Sequence, residues 1–78
     1  MSQNAYIDIM CGHKDSNIRF SDVQKVLEER NFFCRIRGDH FIYKRHDIPE
    51  RINIQPIGNK AKAYQVKQIR NIFMKYHL

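Results

Sequence analysis

Two helical segments enclosing three short strands predict an α+β fold. It is a small two-layer domain of order α-β-β-β-α, with both helices on one face of a three-stranded antiparallel sheet. Three observations carry this reading. Apolar residues recur at helical spacing in two segments, as Val23, Val26 and Leu27 and as Val66, Ile69, Ile72, Phe73 and Tyr76. Between them, three runs alternate apolar with polar residues in the period of a half-buried strand. Gly38-Asp39 separates the first two runs by two residues, the spacing of a tight hairpin.

Residues 1–19 give a weak pattern. Tyr6, Ile7, Ile9 and Met10 fit a short helix or a packed arm, and residues 12–17 read as a polar connector. The first clear helix spans about 21–30. Ser21-Asp-Val-Gln24 matches a capping box, and Asn31 is a left-handed stop. The first strand is 32–37 and the second 40–45, so that Arg37 pairs with His40, Ile36 with Phe41 and Cys34 with Tyr43. That register puts Phe32, Cys34, Ile36, Phe41 and Tyr43 on the core face. The other face holds Arg35, Arg37, His40 and Lys44 together with Phe33 and Ile42, two apolar residues for a partner protein or residues 1–12 to cover. A turn at 46–50 is closed by Pro49, and the third strand is 51–55, ended by Pro56. Residues 58–63 read as a basic loop, and the last helix runs over about 64–76.

With 78 residues, the chain forms a single domain, 1–78, with a modest core and no depth for a cofactor. Its net charge of +6 is unevenly spread. The first thirty residues hold four cations against five carboxylates; the remainder hold ten against three. The basic field belongs to the hairpin and everything after it, and such a field attracts polyanions. No apolar run approaches the ~18 residues of a membrane span. The first residues have neither the basic start nor the apolar run of a signal peptide, and Cys11 and Cys34 show no paired spacing, so a reducing cytoplasm is expected. Cys11-Gly-His13, His40, His46 and His77 lack metal-ligand spacing, so no metal is expected.

The candidate chemistry centres on His40. It follows the hairpin turn, on a strand, with Arg35, Arg37, Lys44 and Arg45 within five residues. An imidazole titrating near neutrality among fixed cations suits acid–base work on a phosphodiester. Lys60 and Lys62 precede a helix N-terminus, where free N–H groups and the helix dipole favour a phosphate. Lys67 and Arg70 extend the basic field along the last helix. The helix and strand order also describes double-stranded-RNA-binding domains.

Taken together, Asn31-Phe32, Arg35-Ile-Arg-Gly-Asp-His40-Phe-Ile-Tyr, Ile52-Asn-Ile-Gln55-Pro and the run from Gly58 through Lys60-Ala-Lys-Ala-Tyr-Gln-Val to Arg70-Asn strongly resemble the HicA family, over about residues 17–76. The resemblance implies a double-stranded-RNA-binding-like toxin that cleaves messenger RNA without metal or cofactor and is silenced by a HicB-type antitoxin. It transfers the active histidine to His40. Asp39 stands where the family usually has Ser, and Phe41 where many members have a second His. The acid partner is left open among Tyr43, Lys44 and His46. On this reading His40 takes the ribose 2′-OH proton, Arg35, Arg37 and Lys44 stabilise the phosphate, and Lys60 and Lys62 hold the RNA backbone. Two other readings fit the same residues: an RNA-binding module that does not cut, and a basic domain whose partner is an acidic protein.

Overall fold

The computed structural model describes residues 2–78, with side chains from Ala5 onward. Helix α1 (Ser2–Cys11) precedes α2 (Phe20–Glu29). Strands β1 (Phe33–Arg37), β2 (His40–Arg45) and β3 (Ile48–Ile54) form an antiparallel sheet in the order β1-β2-β3. A small hairpin, β4 (Pro56–Ile57) and β5 (Lys60–Ala61), leads into α3 (Ala63–Tyr76). This is the expected α-β-β-β-α architecture with an additional N-terminal helix.

Local chemistry explains the main junctions. Asn31 takes φ 67°, and the N–H groups of Asn31 and Phe32 bond back to the carbonyls of Glu28 and Leu27. This paired closure is a Schellman motif, and it turns the chain from α2 into β1. Gly38 has φ 60° at the first central position of the hairpin, which makes the turn type II′. The β1–β2 register is the expected one: Arg37 opposite His40, Ile36 opposite Phe41, Cys34 opposite Tyr43.

Three boundaries differ from the sequence-based expectation. The Ser21 capping box does not form; Arg19 is the N-cap of α2, and no side chain caps it. Tertiary pairing sets this helix start instead, because the Phe20 N–H bonds to the Asn59 carbonyl and the Ala61 N–H to that of Ile18. The basic loop at 58–63 contains the β4–β5 hairpin, turning on Gly58-Asn59. β3 begins at Ile48 rather than residue 51, since Arg45 already pairs with Ile48 around His46-Asp47. Pro49 lies inside this strand, and it is tolerated because β3 is an edge and its nitrogen faces outward.

One core joins the helices to the inner face of the sheet. Tyr43, Ile48, Ile52 and Ile54 of β2 and β3 are buried with Val23, Val26 and Leu27 of α2 and Val66, Ile69, Ile72 and Phe73 of α3. α1 adds Ala5 and Ile9 and packs against α2 and α3, with the Tyr6 ring stacked on Phe73. It therefore does not cover Phe33, which is 60% exposed. The expected core face is also corrected at β1. Phe32 is buried, but Cys34 and Ile36 are exposed. Their side of the sheet is the inner one, yet β1 extends beyond the helices and contacts chiefly β2.

Candidate functional site

The alternation of β3 places Asn53, and Gln55 just beyond the strand, on the outer side of the sheet, and β2 places His40 there too. His40 Nδ1 lies 3.1 Å from Asn53 Oδ1. An amide oxygen only accepts, so in the neutral imidazole this bond puts the proton on Nδ1 and leaves the Nε2 lone pair to accept. Nε2 meets the Gln55 amide nitrogen at 3.3 Å. The same amide donates to Asp39 Oδ2 at 3.2 Å, and its oxygen accepts from Lys62 Nζ at 3.1 Å. Asp39 Oδ1 is 3.7 Å from Nε2. Five side chains thus converge at the turn end of the sheet, with His40 at the centre.

The backbone beneath this cluster is held by a buried amide. Gln65, 4% exposed on the first turn of α3, accepts the Gln55 N–H at 2.8 Å. It ties the end of β3 to the start of α3, and so places Lys62, the N-cap residue of that helix, beside Gln55. Asn53, Gln55 and Gln65 were not among the candidate residues. The outward alternation of Asn53 and Gln55 with Ile52 and Ile54 is the sequence signal for those two, and Gln65 has none; neutral amides leave no mark on charge.

The structure separates the two lysines of the expected phosphate grip. Lys62 joins His40 through Gln55, whereas Lys60 Nζ donates to Asn17 Oδ1 in the connection between α1 and α2. Lys67 is exposed on α3, without a partner among the described residues. Arg70 is structural in its contacts: it makes two bonds to Asp15, at 2.9 and 3.1 Å, and one to the Ile9 carbonyl at 2.9 Å. Arg45 faces Asp47 and the Arg30 carbonyl at the end of α2, so it does not belong to the cations around His40.

Arg35, Arg37 and Lys44 do share the outer face with His40. With Arg51, Phe33, Ile42 and others they line a shallow concavity of about 640 Å³. His40 is not among its lining residues; Arg37, paired with His40 across the turn, connects the two regions. None of these four cations has an acidic partner among the described residues. Of the possible acid partners, Tyr43 is fully buried on the inner side, with no hydrogen bond to its hydroxyl and its pKa raised by that burial. Lys44 lies four residues along the strand from His40, roughly 13 Å. His46 packs against Phe33, with ring centroids 5.2 Å apart. Among the described residues, no three His, Cys, Asp or Glu side chains cluster as metal ligands would, and no helix is long and apolar enough to cross a membrane.

The fold and this face define a small α+β domain with an open, basic sheet surface and a histidine held in one tautomer at its edge. Comparison with protein-family models, curated proteins and solved structures found no match to the chain.

Proposed function

We propose that the chain is a metal-independent RNA endonuclease of the HicA toxin type, with His40 as general base and a HicB-type antitoxin as its inhibitor. The observation that carries the reading is the arrangement of His40. Asn53 fixes the proton on Nδ1, which leaves Nε2 as the basic atom, on a face where fixed cations are not neutralised. His40 Nε2 takes the proton of the ribose 2′-OH, the 2′ oxygen attacks the adjacent phosphorus, and the bond to the 5′ oxygen breaks. The products are a 2′,3′-cyclic phosphate and a 5′-hydroxyl end, the leaving oxygen taking a proton from the imidazolium or water. Lys62, bonded to Gln55 beside Nε2, balances charge on the phosphate oxygens; Arg37, Arg35 and Lys44 extend the track along the sheet.

The Gln55 amide and the Asp39 carboxylate stand at Nε2. A substrate hydroxyl must displace the amide, and the carboxylate repels phosphate. That observation favours a second reading, in which the domain grips RNA through the same face without cutting it. Incubating the purified chain with single-stranded RNA in excess EDTA separates the two. Fragments ending in 2′,3′-cyclic phosphate, absent with His40→Ala, support the nuclease; binding without cleavage supports the module; cleavage that needs Mg²⁺ overturns the proposed chemistry.

A further inference from the structure

β1 leaves one edge of the sheet open. Among the described residues it pairs with β2 on one side and with no strand on the other, and all five of its residues are exposed. The hairpin geometry decides which backbone groups face that edge. A two-residue loop closes on a hydrogen-bonded pair, and bonded and non-bonded pairs alternate along an antiparallel ladder. Arg37–His40 and Arg35–Ile42 are therefore the bonded pairs. The N–H and C=O groups of Cys34 and Ile36 point away from β2, so two donors and two acceptors stand at strand spacing on the open edge.

The side chains beside this edge are sorted by face. On the inner face are Cys34 and Ile36, the latter 60% exposed, beyond the cover of the helices. On the outer face are Arg35 and Arg37, without carboxylate partners among the described residues. A strand added here sets alternate side chains next to an apolar row and next to a guanidinium row.

We propose that the open edge of β1 binds an extended, acidic segment of a partner protein by strand addition. Its apolar residues lie beside Cys34 and Ile36, and its carboxylates lie beside Arg35 and Arg37. Main-chain bonds supply the docking and the two rows of side chains supply the selectivity. A second copy of β1 fits poorly, because antiparallel pairing about the strand midpoint sets Arg35 against Arg35. RNA offers no alternating N–H and C=O groups to complete the ladder. The inference goes beyond the proposed nuclease reading and does not depend on it, since no backbone group of the open edge takes part in the chemistry at His40.

The test uses the full chain, labelled with ¹⁵N, and two acetylated nine-residue peptides, one alternating valine with glutamate and the other valine with lysine. The valine–glutamate peptide should bind saturably and slow solvent exchange of the Cys34 and Ile36 amides, and the lysine peptide should not. Ile36→Pro removes an open-edge N–H without removing a ladder bond, so it should keep cooperative unfolding and weaken the peptide by at least about tenfold. The double variant Arg35→Glu, Arg37→Glu should reverse the preference toward the lysine peptide, and it decides the matter alone if the proline variant does not fold. The proposal is overturned if both peptides bind equally, if neither protects Cys34 and Ile36, or if the charge reversal leaves the preference unchanged. It is equally overturned if those two amides are protected by concentration-dependent dimerisation or by a single-stranded RNA oligonucleotide in place of the peptide.

Discussion

Asp15 accepts from both terminal guanidinium nitrogens of Arg70, at 2.9 and 3.1 Å, with only 15% of the arginine side chain and 20% of the aspartate exposed. The third bond from Arg70, to the Ile9 carbonyl, carries α1 with it. Arg70→Ala leaves a mostly buried carboxylate and a helix-end carbonyl unpaired. It should lower stability by about 2–4 kcal/mol, measured by urea unfolding. RNA binding at a temperature where the variant is folded should be nearly unchanged. A stable variant with lost RNA binding would place Arg70 in the interface instead.

His40 and Asn53 should separate cleanly in kinetics. On the proposed nuclease reading, His40→Ala should remove cleavage while changing stability by no more than about 0.5 kcal/mol, because the side chain is only partly buried. Asn53→Ala leaves the imidazole in place but releases its tautomer. It should lower kcat by about 10–100-fold, part of what a general base contributes, with little change in KM. Nitrogen chemical shifts of the His40 ring should show the neutral proton moving partly to Nε2. An unchanged tautomer with reduced kcat would mean that Asn53 acts in some other way.

Lys62 and Lys60 are two residues apart, yet their contacts differ. Lys62→Ala should weaken RNA binding about equally across sequences and reduce the salt slope by about 0.7–0.9, the value of one phosphate contact. Lys60→Ala should change the slope much less, since its ammonium is turned toward Asn17. Equal effects of the two substitutions would mean that the RNA path crosses the β4–β5 hairpin.

Glu50 gives the fold an acid-sensitive latch. It sits on β3 facing the end of α3, where hydrogen bonds from Lys75 and then Tyr76 hold its carboxyl down to about 2, from an ordinary value of 4.5. A carboxyl with a depressed folded-state pKa adds stability that is complete above its unfolded value and is lost as pH falls through the folded one. The latch should therefore weaken between about pH 4.5 and 2. Thermal unfolding followed over pH 2–6 should show a shallower acid limb for Glu50→Gln than for the parent chain. Identical limbs would show that other carboxylates dominate the acid response.

Much of this was legible in the chain. Gly38-Asp39 sets the hairpin, and with it the whole β1–β2 register, because a turn of two residues admits few geometries. What escaped the sequence was coverage. Alternation states which side of the sheet Cys34 and Ile36 occupy, but where the helices stop depends on packing between distant elements. The start of α2 differs from the capping-box expectation for a related reason: backbone pairing with residues 59–61 outweighs the local preference of Ser21. At the site, the basic residues announced the face and the turn announced His40. The amides that orient it come from β3 and α3, and meet only after folding.

Pro49 has a consequence for the chain's behaviour at high concentration. Stacking of sheets edge to edge needs two receptive borders on every molecule, one to give and one to take. The β3 border carries a proline whose missing N–H interrupts any incoming ladder. Among the described residues, the β1 border is the one without a proline, so strand-by-strand growth through this sheet is lopsided: it favours a single addition at β1 over extension from both sides.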